Sequence, residues 1–190
     1  MSIAGEVRDS MTARLHVPFV PTPEPVVKRM LTLANVKPGE LVYDLGAGDG
    51  RILSSAVKDF EAKAIGIELH ESRYEAIAKR IERERLGNSA GVIQADFLNI
   101  NLSRADVVTL YLLTAVNSMI KPKLERELRP GARVVSHDFP VHGWIPTYVE
   151  KVSDRFNSHM VYLYQVPRSI KHQSSSLPRA VLSMTRWGGF

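Results

Sequence analysis

Residues 44–50 read Asp44-Leu45-Gly46-Ala47-Gly48-Asp49-Gly50, a run in which glycines and carboxylates alternate with small residues. Glycines at alternate positions let a backbone turn tightly and approach a ligand with no Cβ in the way. Two further acids, Glu68 and Asp96, each close a predicted strand. Glu68 is placed to accept two ribose hydroxyls, and Asp96 an adenine amino group. Leu69 and Phe97 adjoin these acids and are candidates to flank an adenine ring, with ordinary core packing as the other reading.

A dinucleotide site is the nearest rival, but it spaces glycines as G-x-G-x-x-G, whereas this turn reads G-x-G-x-G. Charge decides more firmly. A pyrophosphate sits on backbone amides and the positive end of a helix, yet Asp44 and Asp49 flank this turn. Two carboxylates repel a dianion and suit a ligand that carries an ammonium and a sulfonium. S-adenosylmethionine is such a ligand.

The elements that must position these residues alternate along the chain. Thr22 is expected to cap a helix that opens Pro23-Glu24-Pro25 and buries Val26, Val27, Met30, Leu31 and Ala34 on one face. Strands are predicted over residues 41–45, 64–68, 92–95, 107–113 and 133–139. Helices are predicted over 51–60, from the capping box Ser72-Arg73-Tyr74-Glu75 to a stop at Gly87, and near 123–128. Segments 148–152 and 160–166 leave no room for a helix between them and read as an antiparallel hairpin on the sheet edge. The expected fold is therefore α/β: a doubly wound, Rossmann-like sheet of seven strands, five parallel plus a C-terminal antiparallel hairpin. In such a sheet the 44–50 turn lies at the carboxyl ends of the strands, where ligands bind.

Composition narrows the functions. The chain has 190 residues, 44% hydrophobic and 24% charged, enough for one domain with a real core. It has no cysteine, which excludes disulfides, thiolate metal sites and a cysteine nucleophile. The longest nearly apolar stretch, 107–116, has ten residues, against roughly 18 or more for a membrane span. Glu6, Arg8 and Asp9 stand where a signal peptide would place its apolar core, so a cytoplasmic protein is expected. Residues 167–190 carry +4 of the net +5. The body is thus almost neutral, and the basic balance is a weak argument for direct nucleic-acid binding, which stays open. The expected divisions are a loose arm over 1–16, a domain over 17–166 and a basic tail over 167–190. His137 and His142 flank Asp138, but the trio reads as surface loop chemistry, so no metal site is expected.

The body from residue 17 to 166 resembles class I, seven-β-strand S-adenosylmethionine-dependent methyltransferases: Asp44 to Gly50 matches their first motif, Glu68 their second and Asp96 their third. More narrowly, Val17-Pro18-Phe19-Val20-Pro21-Thr22-Pro23 and Tyr111-Leu112-Leu113-Thr114-Ala115-Val116-Asn117 are similar to the small archaeal non-SET protein lysine methyltransferases. The resemblance implies methyl transfer to lysine ε-amines of several proteins, DNA-associated chromatin proteins among them, by a cytoplasmic archaeal enzyme expected to be a monomer. It implies a cofactor site of Thr22, Asp44, Gly46, Gly48, Gly50, Glu68, Leu69, Asp96, Phe97 and Tyr111, with residues 17–22 as a lid. It also implies an acceptor channel of Tyr111, Asn117, Phe139 and Trp144, each with packing as its other reading. The alternatives are a methyltransferase for RNA or a small molecule, and a non-catalytic module that binds S-adenosylmethionine.

The residues bear on the acceptor independently. Enzymes that methylate adenine or glutamine nitrogens typically carry an N/D/S-P-P-Y segment after the fourth strand, where this chain has Tyr111-Leu112-Leu113-Thr114. Cytosine C5 chemistry needs the missing cysteine. A lysine fits what remains. Removing its proton in water at pH 7 costs about 4.6 kcal/mol, from a pKa of roughly 10.4. Burial beside a sulfonium lowers that pKa, so alignment rather than a strong base can carry the reaction.

Overall fold

The computed structural model describes residues 19–167, 169 and 170. The expected arm over 1–16, most of the basic tail, and Val17 and Pro18 of the lid lie outside the described residues. The elements run α1 (Glu24–Leu33), β1 (Leu41–Leu45), α2 (Arg51–Phe60), β2 (Lys63–Glu68), α3 (Glu71–Arg83), β3 (Ala90–Gln94), β4 (Val107–Leu110), α4 (Thr114–Glu127), β5 (Arg133–His137), β6 (Tyr148–Ser153) and β7 (Ser158–Gln165). One seven-stranded sheet has the order β3-β2-β1-β4-β5-β7-β6. The first five strands pair in parallel, and β7 enters antiparallel between β5 and β6. This is the expected doubly wound sheet with its terminal hairpin.

The central strands are buried on both faces, and successive side chains divide between two cores. Val42, Ala64, Val107, Val135 and Val161 pack against α1, α2 and α3. Tyr43, Leu45, Ile67, Val108, Leu110, Val134 and Tyr164 pack on the other face, with Val116, Ile120 and Leu124 of α4. The α1 face is the expected one: Val26, Val27, Met30 and Leu31 are buried. An ion pair between Arg29 and Glu150 ties α1 to the edge strand β6.

Several local expectations are corrected. Thr22 does not cap α1; Pro23 holds the cap position without a side-chain bond, and the Thr22 hydroxyl turns to His137 instead. The Ser72 box is not used, because α3 already begins at Glu71 behind His70, and the chain leaves the helix through Arg85 at φ 57° rather than at Gly87. Helix α4 is two turns longer than expected. Pro122 lies inside the helix. It removes one main-chain bond, while Val116, Ile120 and Leu124 anchor the helix on both sides of it. The strand predicted over 107–113 ends at Leu110 for the same reason. The packed body also runs past 166: Ser169 is buried and accepts from the Ile145 N–H, and Ile170 packs on the core.

Candidate functional site

At the carboxyl ends of β1, β2 and β4 a cavity of about 520 Å3 opens, within the usual size range of small-molecule sites. Its floor is the 44–50 turn. Gly48 sits at φ +62°, and a Cβ there would meet the Phe19 ring at 2.4 Å, so only glycine admits this turn beneath Phe19. Gly66 on β2 leaves similar room: a Cβ would stand 2.8 Å from the Ala47 Cβ and push the turn off the sheet.

Two carboxylates face this cavity from inside the protein. Asp44 is 4% exposed and accepts a 2.7 Å hydrogen bond from the Thr109 hydroxyl on the neighbouring strand. Burial raises its pKa to about 7; the Thr109 bond opposes the rise, and the charges of Glu68 and Asp49 add to it. Glu68 is equally buried. Its Oε2 accepts from the Gly48 N–H and its Oε1 from the His70 N–H, while the Arg73 guanidinium stands 3.2 Å from Oε1. The carboxylate therefore fixes the glycine turn from below. Arg73 also lies over the Phe19 ring, 5.7 Å from its centre, a cation–π contact that holds residue 19 across the site.

The structure brings Thr22, Asp44, Gly46, Gly48, Glu68, Leu69, Phe97, Tyr111 and Phe139 together on the cavity wall. Four expected site residues do not line it. Gly50 is the left-handed cap of α2 and packs against Ile77. Asp96 accepts from the Leu98 N–H and starts a 3-10 turn, which presents Phe97 to the cavity instead. Asn117, fully buried on α4, donates 2.8 Å to the Phe139 carbonyl, which also accepts from Ser136, and so holds Phe139 in the wall. Trp144 is a core residue: its indole N–H donates to Glu125 and its ring meets Tyr164 edge-on.

The charge argument is corrected in one part. Asp49 is paired with Arg51 at 2.7 Å and approached by Arg80, and these cations hold its carboxyl below the ordinary range against the cost of burial. The anionic character at the site therefore rests on Asp44 and Glu68. Sequence reasoning missed Arg51, Ile52, His70, Arg73 and Val116, which also line the cavity, and Thr109, which supports it. The alternation of β4 puts Thr109 on the same face as Val107, but only the β1–β4 register, which pairs it with Asp44, brings it to the site.

The acceptor end differs from its expected form as well. The Tyr111 ring lies 3.8 Å from the His137 ring and 6.2 Å from that of Phe139. His137 is fully buried, and burial pushes its pKa down to about 4, so it is neutral around pH 7. Its neighbours are Asp138 and His159 of β7; His142 is exposed and lies away from the cavity lining.

Comparisons agree with this architecture. The family model described as the ANTKMT methyltransferase domain matches residues 44–148. A protein-lysine N-methyltransferase of Saccharolobus islandicus (strain REY15A) is 50% identical over 152 residues, covering 80% of this chain and 94% of that protein. The adenine nucleotide translocase lysine N-methyltransferase of Mus musculus is 36% identical over 138 residues, covering 72% of this chain and 59% of that protein. Among solved structures, an RNA methyltransferase from Salinibacter ruber in complex with S-adenosyl-L-homocysteine aligns with a TM-score of 0.72 and 37% identity, over 84% of this chain and 97% of that one.

The Thr109–Asp44 bond yields a direct test. Thr109→Val keeps the side-chain shape and removes the donor, so the Asp44 pKa should rise above its wild-type value of about 7. Carboxyl-carbon NMR titration reads this; an unchanged or lower pKa in a folded variant contradicts the geometry.

Proposed function

The chain belongs to the ANTKMT methyltransferase-domain family, and from that premise we propose that it transfers methyl groups from S-adenosylmethionine to lysine ε-amines of proteins by in-line displacement. The observation that carries the cofactor is the pair of buried carboxylates in one cavity. A carboxyl raised to about 7 by burial becomes a stable anion when a cation meets it. When bound, S-adenosylmethionine supplies an ammonium, a ribose diol and an electrophilic methyl group on a sulfonium. Asp44 is assigned to the ammonium. Glu68 is assigned to the ribose hydroxyls, using lone pairs left after Gly48 and His70. Leu69 and Phe97 are assigned to the faces of the adenine. Thr22 is assigned to the cofactor carboxylate.

Tyr111 and Phe139 form the aromatic wall at the acceptor end, with Asn117 as the residue that positions Phe139. Such a wall desolvates an incoming ammonium and favours its neutral form. The lysine proton would pass to water, and the free amine would be held in line with the methyl group that the bound cofactor would supply. Burial holds the His137 pKa down at about 4, which makes it a weak proton acceptor, and it lies behind Tyr111, so it takes no part as a base. Protein substrates are favoured by the 50% identity to the Saccharolobus islandicus enzyme. DNA-associated proteins are included among them because residues 167–190 carry +4, a charge suited to an acidic partner. The likeness to a solved RNA methyltransferase supports the second reading, an RNA substrate.

Three expected outcomes test this. Glu68→Ala should weaken S-adenosylmethionine binding in calorimetry, each lost charge-assisted bond being worth about 1.5–3 kcal/mol; unchanged affinity overturns the cofactor assignment. Incubation with methyl-labelled cofactor and cell lysate should leave label that protease releases and nuclease does not, with nuclease-released label pointing to RNA. The rate at subsaturating protein substrate should climb up to about pH 9, because the titrating group is the substrate lysine. A plateau near pH 7.5 that disappears in His70→Gln, a variant of the histidine that lines the cavity, would instead reveal a histidine base.

A further inference from the structure

Behind the Tyr111 wall, three potential ligand atoms converge from two strands. His137 Nε2 lies 3.0 Å from His159 Nδ1 and 3.2 Å from Asp138 Oδ2, and His159 Nδ1 lies 3.2 Å from the same carboxylate oxygen. We propose that His137, Asp138 and His159 bind a first-row divalent transition-metal ion of the zinc class. Ligand atoms held 2.0–2.2 Å from such an ion stand roughly 2.8–3.6 Å apart, for angles between a right angle and the tetrahedral one. All three separations fall in that window.

Every hydrogen-bonding arrangement of this triangle is compromised on at least one edge. With Asp138 ionised, a proton on either imidazole nitrogen serves one partner and leaves another edge with two lone pairs facing each other. Protons on both nitrogens set two N–H groups against each other at 3.0 Å. A cation at the centre is attractive along every direction at once.

The surroundings are built as metal sites are built. The far nitrogen of each histidine has its own partner: Thr22 Oγ1 stands 3.2 Å from His137 Nδ1, and Asp154 Oδ2 stands 3.3 Å from His159 Nε2. Such contacts fix the tautomer and ring orientation of metal-bound imidazoles. The other oxygen of Asp138 accepts from the Met160 N–H, which turns Oδ2 toward the imidazoles. Asp138 holds φ at +57°, in the left-handed region, while its N–H donates to the Met160 carbonyl. Strained backbone of this kind persists where the surroundings over-determine it, and it clusters at ligand sites. Two imidazoles with one carboxylate select zinc-class ions over magnesium or calcium, which prefer oxygen ligands alone.

The ion would clip β5 to β7. This is a structural role, independent of the acceptor chemistry.

Full-length protein stripped with chelator and titrated with Zn2+ in a calorimeter should take up one tightly held equivalent and gain thermal stability, and Co2+ should give the visible absorption of a bound, low-symmetry ion. His159→Ala, with its fold checked by circular dichroism, should lose that equivalent while cofactor affinity stays within about twofold. Asp154→Asn keeps all three ligands and should weaken the ion by about 10–100-fold. It decides the matter if His159→Ala fails to fold: unchanged affinity there overturns the site. So does wild-type protein that takes up neither ion, or a folded His159→Ala variant that binds as tightly as wild type.

Discussion

Asp44 stands at the end of a central strand with 4% of its surface exposed, its charge supported by the Thr109 hydroxyl from the neighbouring strand. An ionised carboxylate in such a place is costly unless hydrogen bonds or a cation meet it. The protein supplies part of that compensation and leaves the remainder to whatever enters the cavity, which is why the group's pKa stands at about 7 rather than near 4. The cavity's partly compensated negative charge follows from that burial. Glu68 adds to it from β2, where its oxygens hold the glycine turn and the start of the next loop.

The sheet is arranged so that this arrangement can exist. Order β2-β1-β4 brings Glu68, Asp44 and Thr109 to one end. Gly66 lets the turn settle onto β2, and Gly48 leaves room for Phe19 above it. Arg51 and Arg80 take up the charge of Asp49, so the second acid of the turn holds the entrance of α2 and adds little free charge to the cavity. A turn that looks uniformly acidic in one dimension is divided in three dimensions into a neutralised anchor and a partly compensated binding carboxylate.

The acceptor side depends on the C-terminal hairpin. Because β7 enters antiparallel beside β5, His137 pairs across with Val161 and comes within reach of His159, two residues away. The same insertion buries Tyr164, whose hydroxyl accepts from the Val141 N–H and whose ring packs against Trp144. The loop after β5 is thereby held from below, while Asn117 of α4 and Ser136 of β5 hold the Phe139 carbonyl. The Phe139 end of the aromatic wall is thus held by groups buried in the core.

The alternation of apolar runs with helical periodicities was sufficient to read the five parallel strands, the hairpin and the cavity's place at the strand ends, because those patterns are set by neighbours within about ten residues. The places of Asp44, Gly46, Gly48, Glu68, Leu69 and Phe97 on the cavity wall were legible for the same reason: each sits at or beside a strand end that the local pattern marks. The remainder is set by contacts between residues far apart in the chain. Nothing near Asp49 announces that Arg80, 31 residues later, will reach its carbonyl. Nothing near Asn117 announces that a helix continuing through Pro122 will bury it against Phe139. The Thr22 hydroxyl looks like a helix cap until β5 brings His137 to it across 115 residues. His142 looks like the natural partner of Asp138 until strand pairing substitutes His159, because hydrogen-bond register between β5 and β7, and not distance along the chain, decides which side chains meet.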